Sequence, residues 1–193
     1  MDERKPAVAS LAEAMQRWGY LETPAPEAAL RWIATFLEAY GADLQTLEEA
    51  RPLVHGLREL EVTVPALELE RLRNRQVLFF LDAVGQYARE QRELRGLPLA
   101  HDIPAIGEEF GIGAEDAFHA VRVALTGEAE GAPLVLLFPL LGHDRIAIRL
   151  GAVSGHVLHG GRGLEPLRFG PGGTPFQTIE GVKPGNQTPR ESS

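Results

Sequence analysis

The stretch Val121–Leu150, VRVALTGEAEGAPLVLLFPLLGHDRIAIRL, decides how this chain is read. A segment with apolar residues at helical spacing stops at Thr126-Gly127. An acidic loop follows, then a strongly apolar segment containing Pro139, a second glycine stop at Gly142, and a basic segment carrying Arg145 and Arg149. Glycine just past the last periodic residue marks a helix end, because it enters the left-handed region without steric cost. The two stops therefore predict a helix, a loop, an apolar helix kinked at Pro139, a turn and a last helix that Asp144 could cap. Three arginines, Arg122, Arg145 and Arg149, surround these turns in a chain whose formal net charge is −8.

Toward the N-terminus the same helical spacing continues. PEAALRWIATFLEAYG opens on Pro26, places Leu30, Ile33 and Leu37 on one face and stops at Gly41. LQTLEEARPLVHG carries Leu44, Leu47 and Ala50, and Pro52 predicts a bend or an early end. The longest helix is expected to start at Pro65, with a buried stripe of Leu69, Leu72, Gln76, Phe79, Ala83 and Tyr87. Glu68, Arg71, Arg75, Asp82 and Arg89 fall on its outer side, and Gly96 and Pro98 end it. IPAIGEEFG and AEDAFHAVRVALTG predict two further helices, the second burying Phe118, Val121 and Leu125. LEVTVPAL alternates only briefly before Pro65, so no strand is expected, and no internal repeat is present. The fold class is all-α, a helical bundle. Residues 1–25 read as an N-terminal helical segment, 26–151 as the helical domain and 152–193 as a flexible tail rich in Gly and Pro.

Composition narrows the function. A net charge of −8 gives no general attraction to nucleic acid or anionic lipid. The tail carries one more basic than acidic residue, so the acidity lies in the helical part. With no cysteine there is no disulfide, thiol chemistry or cysteine-ligated zinc. MDERKPAVASLAEAM lacks the apolar core of a signal peptide, and APLVLLFPLLG is too short to span a bilayer; a soluble cytoplasmic protein with no membrane partner is expected.

No constellation makes an active site. His156 and His159 could share one face of a turn, but two histidines fall short of the three or four ligands that hold a metal. Glu108-Glu109 and Glu115-Asp116 are read as solvated helix surface, since no nucleophile accompanies them. The glycines lack the Gly-Lys-Ser/Thr ending of a phosphate loop, and no serine sits in a nucleophile elbow. No catalytic residue, metal or cofactor is expected. Arg71, Arg73 and Arg75, and again Arg89, Arg92 and Arg95, could meet phosphates. They are interleaved with Glu68, Glu70, Glu90 and Glu93, which favours pairing along the helix.

The opening stretch resembles the C-terminal anticodon-binding region of bacterial glutamyl-tRNA synthetases. Arg122, Val123, Ala124, Leu125, Thr126 and Gly127 match that family's Arg-Val-Ala-Leu-Thr-Gly, and Pro133, Leu140, Leu141, Gly142, Asp144 and Arg145 match the following loop, helix and last-helix start. Upstream, Thr46, Leu47 and Glu49 resemble its Thr-Leu-x-Glu helix, so the likeness spreads over residues 28–150. The resemblance implies an all-helical module that holds the anticodon end of tRNA. Catalysis in that family belongs to a separate domain whose His-Ile-Gly-His and Lys-Met-Ser-Lys signatures are missing here, which implies a module with no activity of its own. The implied nucleic-acid-binding residues are Arg122, Arg145 and Arg149, with Thr126 and Gly127 shaping the turn and Arg71 and Arg75 as second choices. The implied partner is tRNA, with a separately encoded synthetase catalytic fragment as a further one.

The departures lie at charged positions. Asp43 stands where the family usually has a basic residue, Glu115 and Asp116 replace its glycine-lysine, and Ala120-Val121 replaces Pro-Leu. They favour a second expectation, a helical protein-interaction module that keeps the fold without RNA binding, with Leu136, Leu137 and Phe138 as an exposed apolar face. A third is a fragment of a split or decayed synthetase.

Overall fold

A computed structural model describes residues 7–91 and 97–158. Within these residues the chain forms helices α1 (Val8–Arg17), α2 (Glu27–Tyr40), α3 (Leu47–Arg58), α4 (Ala66–Arg71), α5 (Arg75–Glu90), α6 (Leu97–Glu109), α7 (Ala114–Thr126) and α8 (Leu134–Leu158), and no strand. Each helix whose buried residues are known hides one apolar stripe, as amphipathic helices must. The stripes meet in one core, in which Phe36 of α2, Phe80 of α5 and Phe138 of α8 are fully buried. Leu11 and Met15 of α1 join that core.

The principal packing pair is α5 against α8. Small residues let the two backbones approach: a Cβ added to Gly85 would lie 3.6 Å from the Cα of Ala147. The Ser154 hydroxyl donates to the Leu78 carbonyl at 3.0 Å across the same seam. Burying side chains such as Leu78, Leu81, Ile146 and Leu150 stabilises the pair by about 1.5–3 kcal/mol for each large residue. α2 covers α8 from the other side, where the Trp32 indole N–H donates to the Leu140 carbonyl at 2.9 Å.

Several expectations are corrected. The helix after Pro65 is two helices, not one. Asn74 starts α5, its side chain accepting from the Gln76 N–H at 2.9 Å. That cap interrupts the helical phase, so the buried set of α5 is Leu78, Phe80, Leu81, Val84, Gly85 and Ala88. Phe79 is 44% exposed and Gln76 is exposed. Glu68, expected on the outer side, is half-buried under a hydrogen bond from α7. Pro52 does not end α3, which continues to Arg58. Pro139, where a kink was expected, sits inside the helical run, while the break falls where the second glycine stop was expected, at Gly142, whose φ of 77° and ψ of 163° no ordinary residue adopts comfortably. The expected exposed apolar face is interior: Leu137 and Phe138 are fully buried and only Leu136 is half-exposed. α8 carries on through the expected boundary at 151 to Leu158, with Ala152, Val153 and Val157 in the core. His159, Arg92, Arg95, Gly96 and the rest of the 152–193 tail after Leu158 lie outside the described residues.

Candidate nucleic-acid interface

The corner between α7 and α8 is built by its own motif. α7 ends at Thr126, and Gly127 takes the left-handed cap conformation at φ 78°, its N–H bonding the Val123 carbonyl at 2.7 Å. The Thr126 hydroxyl donates back to the Arg122 carbonyl at 2.9 Å and accepts from the Glu128 N–H at 3.1 Å, closing the turn. A second constraint holds Gly127. A Cβ there would stand 2.0 Å from the Thr63 carbonyl oxygen, so the α3–α4 linker runs directly against the cap. Val62 and Val64 anchor that linker in the core.

Three arginines tie this corner together. Arg122 donates to the Ala132 carbonyl and pins the loop that leads into α8. Arg149 is 2% exposed, and its guanidinium donates to the carbonyls of Leu125, Gly56 and Glu59. One planar fork thus joins the end of α7 to the end of α3, a geometry that lysine does not match. Burial and, after it, the neighbouring Arg145 lower the Arg149 pKa to about 10. Tyr40 lies in the same surroundings, its pKa raised by burial first and then by Glu128. Arg145 is half-buried; its Nε donates to the Arg58 carbonyl at 2.9 Å and a terminal nitrogen reaches the Leu141 carbonyl at 3.4 Å.

Against the expectation of three phosphate contacts, the corner spends most of this donor capacity inside the protein. Arg149 has almost no surface, and Arg122 is half-buried over Ala132. Arg145 keeps part of its surface. Arg71 is exposed but held by Glu68 at 3.0 Å. Arg75 is exposed and lies over the Phe79 ring, 5.2 Å from its centroid. Arg71 and Arg75 belong to the α4–α5 corner, not to the α7–α8 corner. The acids expected to weaken RNA contact, Glu115, Asp116, Glu128 and Glu130, are all exposed. Among the described residues no group of three or more metal-ligating side chains exists, and no helix is long and apolar enough to cross a membrane.

Sequence reasoning missed what surrounds Arg145. Tyr20, Trp32 and Arg58, from three different segments, share one groove with it. Spacing gave no signal, because long-range packing assembles the group.

The family described as anticodon binding domain matches residues 10–153. The chain is 27% identical over 124 residues to the glutamate–tRNA ligase of Desulfitobacterium hafniense, covering 64% of this chain and 25% of that protein. It is 23% identical over 139 residues to glutamate–tRNA ligase 2 of Caldanaerobacter subterraneus, covering 72% and 28%. A shorter match, 50% identical over 46 residues, is to glutamate–tRNA ligase 2 of Gluconacetobacter diazotrophicus, covering 24% and 10%. The chain thus spans from a tenth to just over a quarter of the length of these relatives. The matched family is an anticodon binding domain, not a catalytic one, and its residues include the corner built by Arg122, Gly127 and Arg149. This chain belongs to the anticodon binding domain family and is a glutamyl-tRNA synthetase-like member of it.

Proposed function

We propose that the protein binds tRNA and carries no aminoacylation activity of its own. One observation supports this above the others: family membership extends over residues 10–153, nearly the whole described fold. Arg145, Arg71 and Arg75 are the candidates for direct phosphate contact. Arg122, Thr126, Gly127 and Arg149 serve the interface from behind, by fixing the corner from which α7 and α8 diverge. A catalytic partner supplied by another polypeptide, or by another part of a longer one, completes aminoacylation.

The test is a binding titration with unfractionated tRNA at low and moderate salt. Phosphate contacts predict saturable binding that weakens as salt rises. Arg75→Glu, which reverses an exposed charge, should weaken binding about fivefold or more without changing the fold. Absence of binding at low salt, where phosphate contacts are strongest, contradicts the proposal and leaves the protein-interaction reading. That alternative draws on the exposed acids around the corner, and has lost the apolar face at Leu137 and Phe138 that first favoured it.

A further inference from the structure

The groove beside Arg145 has features that the rest of this acidic molecule does not predict. It encloses about 360 Å³ between α1, α2, the end of α3 and the Gly142 break in α8. That volume falls in the range of roughly 300–1,000 Å³ typical of small-ligand sites. The lining includes Tyr20, Trp32 and Pro139, an apolar floor at Leu141, and two guanidinium groups, Arg58 and Arg145. Among the described residues no carboxylate lines it, in a chain with 27 acidic residues.

The side chains have defined positions. Arg58 lies over the Tyr20 ring, 5.5 Å from its centroid, and Tyr20 stacks on His55 at 6.3 Å. Arg145 donates through Nε to the Arg58 carbonyl, which fixes its side chain beside the end of α3. Trp32 is stacked on Phe36 at 5.6 Å and fixed by its bond to Leu140, yet it remains partly exposed. A planar ring entering the groove finds aromatic and proline surfaces, and an anion attached to that ring finds two cations. Base stacking on aromatic side chains together with cationic contact to the backbone is how single-stranded nucleic acid is bound without a sequence code.

We propose that this groove accepts one unstacked nucleotide of a single-stranded RNA loop, the base against Trp32 and Pro139 and the adjoining phosphate at Arg58 and Arg145. This assignment rests on the tRNA reading above and adds a specific place for the contact. It lies apart from the Gly127 turn, where the Arg122 and Arg149 donors turn inward, and shares only Arg145 with that corner.

Trp32 supplies the test. Trp18 is the other tryptophan, so Trp18→Phe leaves Trp32 as the sole reporter. Stacking predicts that bulk tRNA quenches this fluorescence with a saturation curve that matches binding measured by filter retention. Arg58 is exposed, and its carbonyl bond to Arg145 survives side-chain replacement. Arg58→Glu should therefore keep the melting temperature while weakening tRNA about tenfold, and Arg58→Lys should recover most of the loss. If tRNA binds with no Trp32 quench and Arg58→Glu changes nothing, the groove assignment is overturned and the tRNA reading stands. If tRNA does not bind at all at low salt, both are overturned. If nucleoside 5′-monophosphates quench Trp32 with the affinity of tRNA, the occupant is a free nucleotide and the RNA assignment is overturned.

Discussion

At the scale of single residues, Gly127 and Arg149 do more for this molecule than their place in a basic motif suggests. Gly127 answers two demands at once, a φ of 78° and the Thr63 carbonyl lying where a Cβ would go. Gly142 answers only the first, since nothing lies within 4 Å of its added Cβ. Gly142→Ala should therefore cost about 1–3 kcal/mol of backbone strain, and Gly127→Ala more, because the linker must also move. Urea unfolding of both variants checks the order, and equal losses would contradict it. Arg149→Lys keeps a charge but cannot serve three carbonyls on two elements. It should cost about 3 kcal/mol, while tRNA affinity of the folded fraction stays within about twofold. A selective loss of affinity at unchanged stability would return Arg149 to the RNA surface. Of the two residues, only the cap at Gly127 is legible in the sequence. Arg149 reads there as a basic residue on a helix, because nothing local announces the two helix ends that close over it.

At the scale of elements, the helices after Asn74 show how a capping residue defeats periodicity. The pattern from Leu69 to Tyr87 is a good helical stripe on paper, and the cap at Asn74 shifts its phase. The limits of α2 and the end of α7 were legible, since Pro26, Gly41 and Gly127 mark them within a residue or two; α3 runs from Leu47 to Arg58, past Pro52, where a bend or an early end was expected. The fastening between α5 and α6 was not legible. The Tyr87 hydroxyl donates to the Asp102 carboxylate, with His101 Nδ1 3.3 Å from the same carboxylate. These bonds, Tyr87 first and His101 second, hold the Asp102 pKa below the ordinary carboxylate value. A group whose folded pKa is lowered binds fewer protons folded than unfolded, so its contribution is present above the unfolded pKa of about 4 and is lost as pH falls through the lower folded one. Denaturant midpoints between pH 2 and pH 6 should thus fall less steeply in Asp102→Asn than in the unaltered protein. Parallel curves would show that the clasp contributes nothing. A second tie, from His119 Nε2 to Glu68 Oε2 at 2.9 Å, joins α7 to α4, and Arg71 reaches the same carboxylate. Glu68→Gln should loosen that corner and raise amide exchange in the short helix α4, an effect on exchange with little change in global stability.

At the scale of the whole molecule, the fold and the charge pull in different directions. The fold is that of an anticodon-binding module, held in one core from Leu11 to Val157. The charge is −8, and Arg122 and Arg145 of the family motif, with Arg149 beside them, are committed to internal carbonyls. Motif residues marked the fold class because helix caps such as Gly127 are written in local sequence. They did not give the surface, because which side of a corner an arginine faces depends on segments as distant as Gly56 and Arg58. The cationic aromatic groove of Tyr20, Trp32, Arg58 and Arg145 is the clearest example. With these arginines committed inside, tRNA binding should show a shallow salt dependence. The decisive measurement is the affinity for bulk tRNA from about 20 to about 200 mM salt. The account predicts saturable binding whose logarithm falls against the logarithm of salt with a slope of roughly −2 to −3, that of a few phosphate contacts. No binding at the lowest salt would contradict it.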